Sequence, residues 1–124
     1  MRDFRELKVW RKGHELTLDV YRVTREFPKE ETYGLTSQIR RAAASVGANI
    51  AEGSGKNSRS DFARYLQIAI GSASELEYHL LLVKDLCYVD AERHADLESK
   101  VIEVKRMLTG FVKYLAGERT GTEG

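Results

Sequence analysis

The stretch SRSDFARYLQIAIGSASELEYHLLLVKDLC, residues 58–87, decides the fold. Along it Phe62, Leu66, Ala69, Ala73, Leu76, Leu80, Val83 and Cys87 recur at alternating steps of four and three. That is the period of a seam between packed helices, because side chains three and four residues apart lie on one face. Ser58 with Asp61 or Ser60 is a capping pair that opens such a helix. At about 1.5 Å per residue the helix is roughly 40 Å long, which makes it the organising rod of the domain. Gly71, Ser72 and Ser74 interrupt it only with small residues and leave the seam in register. Cys87, the single cysteine, is read as a small buried hydrophobe of that seam.

Outward from this rod the same period recurs. Val9, Gly13, Leu16, Val20, Val23 and Phe27 mark a first helix, 5–27, stopped by Pro28. Trp10, Thr17 and Tyr21 form a neighbouring stripe, so this helix is expected to touch more than one partner. A second helix, 36–53, has Thr36 or Ser37 as candidate N-cap and a core face of Ile39, Ala42, Ala43, Val46 and Ile50. Its other side, Ala44, Gly47, Ala48 and Ala51, is small enough for another backbone to approach, and Gly47 either permits that approach or marks a kink. Asp90 caps a fourth helix, 90–116, with Leu97, Val101, Val104, Leu108, Phe111 and Leu115 on its seam. Four long helices with short links predict an all-α, antiparallel up-down-up-down four-helix bundle over 1–117. The polar, Gly/Thr-rich residues 118–124 are expected to be a disordered tail.

Composition narrows function mainly by exclusion. The 124 residues carry 20 Lys and Arg against 19 Asp and Glu, a net charge of +1, so nucleic-acid binding has to be argued from local clustering. The start lacks the apolar segment of a secretory signal, and no apolar run approaches the roughly 20 residues of a membrane span. A cytoplasmic setting without membrane association is the expectation.

Reaction chemistry is sparse. Di-iron bundles need Glu-x-x-His pairs, and this chain has none; Glu75 and His79 share a face, but no matching ligands accompany them, and His14 and His94 are isolated. Gly53-Ser54-Gly55-Lys56 has the wrong spacing for a phosphate loop, and Asn57 stands where Ser or Thr would hold magnesium. We expect no enzyme, no metal and no cofactor. A closed pocket lined by Glu52, Glu75 and His79 would revive catalysis.

Basic residues do cluster locally. Arg11 and Lys12 in the first helix, Arg40 and Arg41 in the second, and Lys56 and Arg59 around the following connection are the candidate phosphate contacts. Glu6, Glu15, Glu52 and Asp61 are near enough in sequence to pair with them, and a solvated mixed-charge face is then the simpler account. Glu77 falls next to the seam and needs a partner, for which Arg40, Arg41 or Asn49 are the candidates. Ile68, Tyr78 and Leu82 lie off the seam, and surplus apolar positions of this kind point to a contact between copies of closed symmetry.

Residues 8–12, KVWRK, together with YGLTSQIRRA (33–42), ANIAEG (48–53) and GSASELE (71–77), resemble in order the 23S rRNA intervening-sequence protein family. The resemblance spans roughly residues 4–115. It implies an antiparallel four-helix fold; from the residues themselves, Trp10, Gly47, Asn49, Glu52, Ile68, Glu75, Glu77, Tyr78 and Leu82 are the structural or interface candidates. By analogy with the related accessory proteins of diversity-generating retroelements, it also implies a homo-oligomer, a pentamer, binding RNA or DNA and a reverse transcriptase. The family often has proline where Gly47 stands, so a helix irregularity there is a further expectation. The leading reading is a non-enzymatic oligomeric bundle that binds RNA or DNA non-specifically, and the alternative is a protein-interaction scaffold without direct nucleic-acid binding.

Overall fold

The computed structural model describes residues 3–117. A 3-10 turn at Phe4–Glu6 leads into four helices: α1 Lys8–Thr24, α2 Leu35–Ser54, α3 Arg59–Asp85 and α4 Ala91–Leu115. α1 and α3 each pack on α2 and α4, and the diagonal pairs do not approach. Every adjacent pair is antiparallel: Thr17 Oγ1 donates to the Ala43 carbonyl, Ser45 meets Ser72, Lys105 meets Glu77, and Lys100 meets Asp19. The chain is an all-α four-helix bundle.

The seams are its core. Val9, Val46, Ile50, Leu66, Ala69, Ala73, Leu76, Val83, Val101 and Leu108 are completely buried, and Phe62 and Phe111 meet edge to face at 5.1 Å. Each large apolar side chain removed from water in this way contributes about 1.5–3 kcal/mol. The α2–α3 seam also carries a polar node, in which Ser45 and Ser72 share a 2.8 Å bond and Asn49 Nδ2 donates to the Ser45 carbonyl and hydroxyl. Two buried histidines sit less comfortably, since His79 Nδ1 and His94 Nε2 have no hydrogen-bond partner among the described residues.

Several expectations are corrected at the helix ends. The first helix stops at Thr24, and residues 25–27 continue only as turns, with Phe27 buried beyond the helix and its N–H on the Thr24 carbonyl. Neither Thr36 nor Ser37 caps the second helix; Gly34 is the N-cap, and the Leu35 N–H is taken instead by Glu31 Oε1 at 3.2 Å. The third helix ends at Asp85, not 87, and Cys87 is exposed with φ of 63°. Its N–H bonds to the Lys84 carbonyl and that of Tyr88 to Val83, a Schellman closure with cysteine in the left-handed position usually held by glycine. The fourth helix ends at Leu115. Both oxygen caps stand as read: Ser58 Oγ accepts from Asp61 N–H, and Asp90 Oδ1 from Arg93 N–H.

At Gly47 the helix is not interrupted, and α2 runs as one span through it. A Cβ at Gly47 would meet Trp10 Nε1 at 3.4 Å, so the close approach it permits is that of an indole from α1 rather than another backbone. Glu77 finds its partner on α4: Lys105 Nζ donates to it at 2.9 Å, and none of Arg40, Arg41 or Asn49 reaches it. The tail at 118–124 lies outside the described residues.

Candidate nucleic-acid interface

Antiparallel packing divides the six basic candidates between the two ends of the bundle. Arg11 and Lys12 near the start of α1 lie at the same end as Lys56 and Arg59, which flank the link from α2 to α3. Arg40 and Arg41 sit toward the other end, where α2 begins and α1 finishes.

Carboxylates hold few of these groups. Arg11 Nη1 donates to the Arg5 carbonyl at 3.1 Å. Arg40 Nε donates to Thr24 Oγ1 at 2.7 Å and Nη2 to the Tyr21 carbonyl, while its guanidinium lies 4.6 Å from the centre of the Tyr21 ring. Arg59 donates to the carbonyls of Tyr114 and Leu115, both at 2.9 Å, and so closes the C-terminus of α4. Lys56 Nζ stands 5.2 Å from the Tyr65 ring centre. Arg41 is exposed and makes no ion pair among the described residues. Only Lys12 meets a carboxylate, Glu103, at 3.8 Å. The acids expected to neutralise this set do not: Asp61 turns to Arg64, at 3.9 Å, and Glu6, Glu15 and Glu52 make no ion pair among the described residues.

Reading the sequence missed Arg64, whose guanidinium lies 4.7 Å from the Tyr65 ring centre, so that Tyr65 serves both Arg64 and Lys56. An aromatic residue flanking the seam beside an arginine is the signal that marks it. Also missed is an aromatic row on α1. Trp10 and His14 stack with ring centres 4.8 Å apart and planes inclined by 9°, and Phe4 meets Trp10 edge-on at 4.9 Å. With Tyr21 these rings wall an open groove of about 380 Å³ whose floor is Ala44, Gly47, Ala48 and Ala51 of α2. This is the small-residue face expected to receive another backbone.

The remaining candidates scatter. Ile68 and Tyr78 are exposed, by 44% and 60%, Leu82 is half-buried, and Leu81 adds to the uncovered apolar surface of α3. Glu75 and Glu52 are exposed and His79 is buried, so these three do not converge on one pocket. Among the described residues no three His, Cys, Asp or Glu side chains group as a metal site, and no helix is long and apolar enough to cross a membrane.

Elsewhere, α1 and α4 are fastened by Lys100, which reaches Asp19 at 2.6 Å and Asp96 at 3.2 Å. The hydrogen bond to Asp19, followed by that to Asp96, raises the Lys100 pKa above its ordinary value against the opposing effect of burial.

Comparison with known proteins agrees with this fold. A crystal structure of a protein of unknown function from the S23 ribosomal protein family of Bacteroides thetaiotaomicron VPI-5482 superposes with a TM-score of 0.79 at 29% identity, covering 85% of this chain and 98% of that one. No curated protein matches the chain. Neither this neighbour nor the matching family names a reaction. The 23S rRNA-intervening sequence protein family matches residues 5–110, nearly the entire bundle from the first turn to the last turns of α4, and the chain belongs to that family.

Proposed function

We propose that this protein is a non-enzymatic, oligomeric helical bundle of the cytoplasm that binds RNA or DNA through phosphate contacts, without sequence readout. What supports the reading is one observation: five of the six basic candidates are oriented by backbone carbonyls or aromatic rings, or stand free, rather than neutralised by carboxylates. A mixed-charge face would have paired them with Glu6, Glu15, Glu52 or Asp61. Unneutralised cations held on a rigid frame are what a phosphate backbone rewards, since each contact releases condensed counterions.

Arg40 and Arg59 spend their donors on helix ends, so they fix geometry. Arg41 and Lys56 are free to meet phosphate, and reversing them leaves the helix ends intact. Retention of structured RNA by the purified protein, titrated against salt, tests the reading. Arg41→Glu with Lys56→Glu is expected to weaken retention and to lower the slope of log affinity on log salt by about one per lost contact. Absence of binding even at low ionic strength would sink the idea.

The uncovered Ile68, Tyr78 and Leu81 support assembly with copies of the same chain, for which the family analogy suggests a ring of five. Light scattering measures this directly, and a monomer at high concentration contradicts it. The same stripe supports the second reading, an accessory scaffold that recruits a protein such as a reverse transcriptase. Pull-down with and without nuclease separates the two.

A further inference from the structure

We infer that the groove between α1 and α2 is a stacking site for unpaired bases, so that the nucleic acid bound is single-stranded. The inference rests on the nucleic-acid reading above and names the class of ligand and where it lies. Trp10, His14 and Tyr21 stand along one wall over a floor of Ala44, Ala48 and Ala51. From Trp10 to Tyr21 the wall runs about 16 Å along the helix, room for a short run of bases.

Three features favour nucleotides over an apolar helix as occupant. The wall is aromatic, and every base has a face that stacks on such rings whatever its sequence. The Trp10 Nε1–H lies over Gly47 on the groove floor and donates to no acceptor among the described residues, so a base carbonyl or ring nitrogen can engage it in place of water and an apolar side chain cannot. A guanidinium stands at the Phe4 end, where Arg11 rests on the Arg5 carbonyl and is matched by no carboxylate among the described residues. Base on ring and phosphate on guanidinium is the arrangement by which proteins hold single strands.

Trp10 is the only tryptophan in the chain, so its emission reports on this groove alone. The purified protein is titrated at low salt with oligouridylate of about 12 nucleotides, within the usual site size for a strand-binding surface, and with a blunt RNA duplex of the same length. The expected result is quenching of Trp10 by the single strand, with little by the duplex. His14→Ala, which removes an exposed ring and no core contact, is expected to weaken single-strand binding about fivefold or more, in line with stacking energies per base.

Binding without quenching, equal affinity for the duplex, or full affinity in His14→Ala each overturns the groove while leaving the phosphate reading in place. Emission that shifts with protein concentration alone and ignores the oligonucleotide shows a second copy in the groove and also overturns it. No retention of any nucleic acid removes both.

Discussion

Tyr88 Oη donates a 2.9 Å hydrogen bond to Glu31 Oε2, while the other oxygen of the same carboxylate accepts from Leu35 N–H. One side chain therefore caps α2 and ties the link between α1 and α2 to the link between α3 and α4. Phe27 packs on the Tyr88 ring at 5.5 Å and covers the junction.

The tie has a pH signature. Hydrogen bonding to Glu31, then burial, then the charges of Glu31 and Glu30 raise the Tyr88 pKa above its ordinary 10.0. A group with a raised folded pKa stabilises the fold fully below its unfolded pKa and loses that contribution as pH rises through the folded one. Tyr88→Phe is therefore expected to melt below the parent by a constant margin under pH 10, and the margin closes at higher pH. Thermal melts from pH 8 to 11 check this, and a margin independent of pH shows that the bond is absent in solution.

Two helical glycines should respond oppositely to alanine. A Cβ at Gly53 would lie 2.8 Å from Tyr65 Cβ and 3.3 Å from the Phe62 carbonyl oxygen, so α2 and α3 must separate; a loss of about 2–3 kcal/mol is expected. At Gly71 nothing lies within 4 Å, and the helix gains about 0.5–1 kcal/mol from the lost backbone freedom of the unfolded chain. Urea unfolding of both variants measures the contrast.

Cys87→Gly relieves a left-handed cysteine that closes α3. The expected gain is about 1 kcal/mol, read from the same unfolding curves. An unchanged midpoint would mean that residue 87 leaves the left-handed region in solution.

Leu76→Asp and Leu108→Asp each place a carboxylate at a position with no solvent exposure. Without a partner the buried charge costs several kcal/mol, on the order of the stability of a small domain, so neither variant is expected to fold at 37 °C. Circular dichroism checks the helix content.

The seam residues were legible because burial follows periodicity, and from Phe62 to Val83 every seam position is buried. Cys87 was misread because the count of apolar steps does not register where a helix stops, and here the helix ends at Asp85 and Cys87 itself takes the left-handed conformation that closes it. The cap of α2 was misread because its acceptor comes from Glu31, in the preceding turn, and not from the adjacent hydroxyls. The partner of Glu77 was sought on the wrong helix for a different reason. The place of Glu77 beside the seam was visible, but which flank of α3 faces α2 and which faces α4 depends on the order of helices around the bundle, and heptads of either arrangement read alike.

Sequence alone thus determined four helices, their core faces and the family, since these follow from spacing along one chain and from local motifs. The tertiary structure alone decided that Arg40 and Arg59 close helix ends, that Lys105 neutralises Glu77, and that rings from α1 stand over the alanines of α2. The physical reason is that these contacts join residues distant in sequence, whose meeting is set by the relative rotation and register of packed helices and leaves no period in the chain.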